Sequence, residues 1–447
     1  MKRKKSGVIQ GWIDIVLGLQ WGDEGKGKIV DYLAKNYHIV ARFQGGPNAG
    51  HTLWCNSKKL VLHHLPSGIL NDNVWNFIGP GLVVDPIVLL LEIKSACEIL
   101  ETNLSIKDRI FVSKHAFVIH PLHKYLDKAI EYSKGRHGVG TTGKGIGPAY
   151  SDIKDRIAFR FGDVLNNPDF FISDQYINFV KAVEEELKFY ADVYGYVLPT
   201  IDEKKQVIDQ FKHDLMDLPL YVNFVDSFWL QDQLDKGKDV LAEGAQGTML
   251  DNNFGCYPMV TSSNTVAGAA PVGLGVPMKY FGKTIGVAKW YTTKVGGGMF
   301  PSEIKDEHIQ SLLQEAGQEV GATTGRKRRC GWLDIPQLLY ALRINDVDEL
   351  IITKVDINPL DSVEIASCYC LEEQKIDSFP FDISEIHHVA FHGLNMKWKL
   401  PEDGSSILDT DLRLYLEYIR TRIEGNGLKT QITMVSHGPN RDDILRY

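Results

Sequence analysis

The feature that most constrains this chain is a strand that runs into a glycine-rich loop and then into a helix. Ile13–Leu19 (IDIVLGL) reads as a buried strand. The stretch from Gly18 to Lys28 (GLQWGDEGKGK) opens a segment, Lys28–Asn36, with apolar residues at helical spacing. A second short apolar run, His38–Phe43, follows. Neighbouring parallel strands need a crossover, and a helix supplies it, so this order predicts an α/β fold with a mostly parallel central sheet. Further strand-like runs recur at Val74–Ile78, Arg109–Val112, Asp239–Leu241, Lys283–Ala288, Glu349–Ile352 and Gln431–Val435. Residues 169–234 are charge-rich and read as a helical insertion, with one helix expected at Asp174–Tyr194. No Ser/Pro/Gly-rich linker divides the chain, so residues 11–447 are expected to form a single large α/β domain.

Composition narrows the class. With 44% hydrophobic residues in 447, the chain has ample material for a core. Its net charge of −8 argues against a dedicated nucleic-acid binder but allows a local basic pocket for a small anion. Six cysteines without zinc or disulfide spacing point to a reducing, cytoplasmic setting. Residues 1–10 read as a basic flexible tail, because Gln10, Gly11 and Asp14 interrupt what a signal sequence would need to keep apolar. No membrane-spanning segment is expected: the long uncharged stretch Asn252–Met278 is broken by Pro258, Pro271 and Pro277 and suits a loop lining a site.

The chemistry lies in the loops. Glycines in Gly18–Lys28 let successive backbone N–H groups approach a phosphate, and the following helix adds its dipole. Lys26 would neutralise phosphoryl charge. The spacing departs from the Walker A motif, since Gly27 stands where the metal-binding hydroxyl belongs; Asp23 could serve as the metal ligand instead. The loop Arg42–Thr52 (RFQGGPNAGHT) follows the second strand, and His51 is a candidate acid or base there, or a loop cap. Glu349–Asp356 (ELIITKVD) is a strand ending in Thr-Lys-x-Asp. A carboxylate at Asp356 would accept from guanine N1–H and its exocyclic amine while the Lys354 stem covers the base; the alternative is an exposed strand end. Ser436-His-Gly-Pro439 could close over that base. Together these motifs read as a P-loop-like GTP site. Four consecutive cations, Arg326–Arg329, are either a solvated face or an anion pocket framed by Thr323 and Thr324.

Taken in order, QWGDEGKGK, GGPNAGHT, GTTGKGIGPAY, EGAQGT, VTSSNT, GATTGRKRRCGWLD, TKVD and SHGP closely resemble the adenylosuccinate synthetase family, over nearly the whole chain. Lys144, Lys294 and Lys327 depart from it, standing where arginine is frequent. The resemblance implies GTP-dependent ligation of IMP and L-aspartate to adenylosuccinate through 6-phosphoryl-IMP, with GDP and phosphate released, in purine biosynthesis. It implies catalytic roles for Asp23, His51, Lys26 and Gln246. GTP would meet Gly22, Asp23, Glu24, Gly25, Lys26, Gly27, Lys28, Gly50, His51 and Thr52 on its phosphate side. Arg328, Lys354, Val355, Asp356, Ser436, His437 and Gly438 would complete that site. IMP would meet Asp23, Glu24, Gly25, Lys26, Asn48, Ala49, Gly50, His51, Thr142, Arg156, Gln246, Thr261 and Arg326. Aspartate would meet Ala322, Thr323, Thr324, Gly325, Arg326, Lys327 and Arg328. One Mg²⁺ per subunit would be held by Asp23 and the Gly50 carbonyl. A homodimer is implied, with Arg156 reaching the neighbouring site, and neither nucleic acid nor membrane is a partner. Two rival readings differ in what they require. A GTP switch protein would carry the Walker A hydroxyl, and an ATP-dependent ligase would lack Thr-Lys-x-Asp.

Overall fold

The computed structural model describes residues 10–55, 58–100, 106–135, 138, 140–321, 325, 327–372, 374–398 and 408–447. Except for Gln10, the expected basic tail therefore lies outside the described residues, as do Ala322, Thr323, Thr324 and Arg326.

A ten-stranded sheet organises the molecule. In chain order its strands are β1 (Ile13–Gly18), β2 (Ile39–Arg42), β3 (Trp75–Ile78), β4 (Ile110–Ser113), β5 (Asn223–Val225), β6 (Val240–Glu243), β7 (Phe281–Lys289), β8 (Glu349–Thr353), β9 (Gln431–Ser436) and β10 (Ile444–Arg446). Across the sheet the order is β10-β9-β8-β7-β1-β6-β2-β3-β4-β5. Every neighbouring pair is parallel except β9 with β10. The central strands read as continuous apolar runs because both faces are covered: β1, β2 and β6 are buried at every position.

Parallel register decides where the loops emerge. Val16 lies beside Glu243, Glu243 beside Arg42, Lys289 beside Thr353, and Thr353 beside Ser436. The carboxyl ends of these strands are therefore level, and the loops that leave them converge on one edge. Open α/β sheets bind ligands in that crevice. Helix α1 (Lys26–Ala34) starts there, immediately after left-handed Gly25.

Residues 174–194 form one helix, and Ile201–Asp217 a second that begins with a Thr200/Glu203 capping box. The same segment is not all helix, contrary to its sequence pattern. Asn223–Val225 pairs with Phe111–Ser113 as an edge strand, and three residues are too few for periodicity to reveal. A smaller sheet, built on Val363–Leu371 and His388–Leu394, packs beside the main one. Among the described residues no helix is long and apolar enough to cross a membrane.

Candidate functional site

The converging loops enclose a cleft of about 1030 Å³. It is lined by Gly22, Asp23, Gly25, Lys26, Gly27 and Lys28 from the first loop, and by Asn48, Ala49, Gly50, His51 and Thr52 from the second. Thr142, Gln246, Thr261, Arg328, Lys354, Asp356 and Gly438 complete the predicted residues on its wall. Motifs more than 300 residues apart in sequence thus face one space.

The first loop is folded around a carboxylate. Glu24 is fully buried and accepts from Gln20 N–H at 3.0 Å and Gly22 N–H at 2.9 Å, while Lys26 Nζ donates to it at 2.6 Å. Two glycines make room for that packing. A Cβ on Gly18 would lie 2.3 Å from Glu24 Oε2, and one on Gly247 would lie 2.6 Å from Oε1. Glu24 therefore shapes the loop from inside and is absent from the cleft wall. Asp23 takes the opposite orientation. Its backbone is left-handed, with φ 61°, and its carboxylate is partly exposed at 2.8 Å from Arg328 Nε. Such a conformation in a non-glycine residue costs free energy and is concentrated at functional sites.

Arg328 is itself anchored by donating from Nη1 to Glu319 Oε2 at 2.6 Å. Glu319 is fully buried and also accepts from Lys289 Nζ at 2.8 Å and from the Tyr291 hydroxyl. Burial opposes ionisation of Glu319, but Lys289 and Arg328 more than offset it and hold its carboxyl at about 2. Asp23 thus stands at the end of a buried chain of charges.

His51 begins the strand His51–Cys55, beside α1. Gly27 permits this approach, since a Cβ there would come within 2.8 Å of the His51 Cβ. Nδ1 of His51 meets Glu243 Oε1, and Ser67 donates to the same carboxylate from its backbone N–H at 2.7 Å and its hydroxyl at 2.6 Å. Burial holds the imidazole below its ordinary range against the pull of Glu243. A neutral ring beside this carboxylate carries its proton on Nδ1, which leaves Nε2 as the nitrogen able to act on a ligand.

The guanine-type motif touches the first loop directly. Thr353 Oγ1 donates to the Glu24 carbonyl at 2.6 Å. Lys354, left-handed at φ 63°, donates from Nζ to the Gly317 carbonyl at 3.0 Å. Asp356 is exposed on the cleft wall. Lys28 Nζ bonds the carbonyls of His437 at 2.6 Å, Asp443 at 2.8 Å and Gly438 at 3.1 Å, tying the last loop to α1, and burial lowers its ammonium to about 8. Val355 and Ser436 are buried behind the wall, joined by Val355 N–H to the Ser436 carbonyl at 3.2 Å.

On the opposite wall Asn48 Nδ2 donates to Thr261 Oγ1 at 3.2 Å, and Gln44 Nε2 donates to Gln246 Oε1 at 3.2 Å. Asn48 Oδ1 and Gln246 Nε2 are buried without a hydrogen-bond partner among the described residues. A buried polar atom left unpaired is costly, and a ligand that pairs with it recovers that cost. Arg156 is exposed at the left-handed end of the helix Ile146–Asp155 and does not line the cleft of its own chain. Gly325 and Lys327 are likewise exposed and off the wall. Sequence reasoning assigned no role to Glu243, Ser67, Glu319, Lys289 or Tyr291. Glu243 carried a faint signal, an acid ending an apolar strand beside Gly-Ala-Gln246; the others carried none.

A family profile described as "Adenylosuccinate synthetase" matches residues 15–445. The chain belongs to the adenylosuccinate synthetase family. An adenylosuccinate synthetase of Christiangramia forsetii is 40% identical over 440 residues, covering 97% of this chain and 99% of that protein. One from Bacteroides thetaiotaomicron is 42% identical over 446 residues, covering 97% and 99%. Fully ligated adenylosuccinate synthetase from Plasmodium falciparum superposes with a TM-score of 0.86 at 34% identity, covering 98% of this chain and all of that one. The expected family and α/β fold class are therefore correct. As a member of this family the chain is a GTP-dependent ligase that joins IMP and aspartate in purine biosynthesis.

Proposed function

We propose that the residues of the cleft divide the adenylosuccinate synthetase reaction as follows. Asp23 takes the N1 proton of IMP, which lets the 6-oxygen attack the γ-phosphate of GTP and yields 6-phosphoryl-IMP. Phosphorylation turns a poor leaving group into phosphate, and the aspartate amine then displaces it at C6. Asp23 exchanges Arg328 for these ligands, while Glu319 keeps Arg328 in place. Lys26 and the amides of the first loop hold phosphate oxygens, the usual means by which positioning and charge neutralisation promote phosphoryl transfer. His51, which takes a proton from solvent at Nε2 as the anionic phosphates bind, donates it as a hydrogen bond to the phosphoryl oxygens, with Glu243 balancing the imidazolium. Asn48 and Gln246 offer IMP their unpaired atoms, alongside Thr142 and Thr261. Asp356 and Lys354 read guanine. Thr323, Thr324, Arg326 and neighbouring residues of that loop receive aspartate.

Mg²⁺ fits the donors at hand. Asp23 and the Gly50 carbonyl are oxygen ligands, and Mg²⁺ takes few protein ligands, filling the rest with phosphate and water. Among the described residues no three His, Cys, Asp or Glu side chains cluster as a metal site, so the ligand set proposed here is Asp23 and one backbone carbonyl. Mg²⁺ would supply neutralisation of phosphate charge. The enzyme acts as a cytoplasmic homodimer in which Arg156, exposed and outside its own cleft, serves the neighbouring site.

The observation that carries this reading is the meeting of Asp23, His51, Gln246 and Asp356 on one wall-to-wall cleft. Its test is turnover followed by absorbance while IMP, GTP, Mg²⁺ and aspartate are omitted one at a time. All four are required. Asp23→Ala should lower turnover at least ~10²–10⁴-fold, the usual worth of a general base. Near-normal activity in folded Asp23→Ala would refute the assignment. Mixing Asp23→Ala with Arg156→Leu chains should restore activity through hybrid sites; verified mixed dimers without rescue would refute the role of Arg156.

A further inference from the structure

Three lysines are buried among the described residues: Lys26, Lys289 and Lys294. Lys26 pairs with Glu24, and Lys289 pairs with Glu319. Lys294, 3% exposed, has no carboxylate within ion-pair distance among the described residues. Among the described residues its Nζ meets only the Gly297 carbonyl of its own loop. The nearby acid Glu303 is occupied: Arg329 grips both its oxygens, at 2.6 and 2.7 Å, and Lys305 adds a third contact at 2.8 Å. Burial lowers the Lys294 ammonium to about 8, with Arg329 pushing the same way. A buried cation without a counter-charge is expensive, and burial at a cleft wall makes sense when the counter-charge arrives with a ligand.

The position of Lys294 says which ligand. Lys294 lines the cleft and lies in the short ladder Thr292–Lys294 against Arg329–Gly331, directly opposite Arg329. That ladder continues the loop assigned above to aspartate. On the other side, Gly298 of the same loop packs against Met259, two residues before Thr261 on the IMP wall; a Cβ on Gly298 would lie 2.7 Å from Met259 Cγ. Lys294 thus stands between Arg329, the residue that follows the aspartate motif in sequence, and the IMP wall. The amino acid must occupy that interval for its amine to reach C6, and its two carboxylates must then face the surrounding walls.

We infer that Lys294 binds one carboxylate of the amino-acid substrate and helps select a dicarboxylic amino acid. This rests on the reading given under Proposed function. The interaction forms with the amino acid and not with either nucleotide, so it predicts a selective effect. Lys294→Met keeps length and apolar packing but removes the charge. It should raise KM for aspartate about 10- to 100-fold, the range of a charged hydrogen bond, with kcat and KM for GTP and IMP changed less than about threefold. Succinate, a dicarboxylate without the amine, should lose potency as an inhibitor in parallel. Lys294→Arg should recover most of the aspartate affinity, which a merely space-filling role would not predict. Folding is checked by circular dichroism, and Lys294→Gln replaces the Met variant if that one does not fold. Wild type that fails to turn over IMP, GTP and aspartate overturns the function and this inference together. Wild type that turns over, with an aspartate KM within about twofold in the Met or Gln variant, overturns the inference alone. So does a rise in KM for IMP in place of aspartate, which would assign Lys294 to the nucleotide.

Discussion

Glu24 belongs to the most recognisable loop of the sequence, yet its carboxylate faces inward, so its removal should first cost stability. In Glu24→Ala the buried ammonium of Lys26 loses its partner at 2.6 Å, and the amides of Gln20 and Gly22 lose their acceptor. Breaking one side of a buried pair costs about 3–5 kcal/mol. An unfolding entropy of about 2.1 cal/mol/K per residue gives about 0.9 kcal/mol/K for a chain of 447, so the unfolding temperature should fall by about 3–5 °C. The assay is thermal unfolding at pH 7 without ligands. Glu24→Gln should lose less, because its amide oxygen still accepts from the loop amides. The double variant Glu24→Leu, Lys26→Met should unfold at a higher temperature than Glu24→Ala, since replacing both members of a buried pair by apolar groups is often near neutral. It should nevertheless bind GTP poorly, having lost Lys26. Unfolding of Glu24→Ala within 1 °C of wild type would refute the reasoning, as would a double variant no more stable than the single.

Gly247→Ala places a Cβ 2.4 Å from the Gln20 carbonyl and should cost about 1–3 kcal/mol, read as a lower unfolding temperature and a raised KM for GTP; normal values for both would refute the packing argument. Asp334 caps the helix Ile335–Ile344 and leaves Oδ2 buried without a partner among the described residues, and burial lifts its carboxyl to about 7 despite hydrogen bonds from Tyr369 and Gln337. The unfolded chain releases that proton near its ordinary value of 3.8, so the folded state holds more protons between there and pH 7 and stability falls as pH rises through that window. Asp334→Asn should therefore gain in unfolding temperature over wild type more at pH 8 than at pH 5; an equal difference at both values would count against it. Asp356→Asn should raise KM for GTP and lower it for XTP, because an amide accepts from N1–H and donates to the xanthine carbonyl. Unchanged GTP saturation with no gain for XTP would move the guanine site elsewhere.

How much was legible divides along a physical line. Local chemistry was: the glycine loop, the strand runs at β1 to β4 and β6 to β9, and Thr-Lys-Val-Asp each rest on short-range rules of spacing and backbone freedom. The three-residue strand β5 was not legible, since it exists only through pairing with β4. Sequence likewise marked Glu24 as one more loop acid beside Asp23. Tertiary packing turned one inward onto Lys26 and left the other facing Arg328, because Gly18 and Gly247 open space on only one side of the loop. The partners Glu243 for His51 and Glu319 for Arg328 are also tertiary decisions. Glu243 lies 192 positions from His51; parallel register sets Glu243 beside Arg42, and the loop that leaves Arg42 brings His51 back onto it. The sequence by itself determined which chemical groups the edge of the sheet would carry. Only the fold decided which of them are neutralised inside the protein and which, like Lys294, stand on the cleft wall without a counter-charge among the described residues, because charge compensation depends on distance in space and not along the chain.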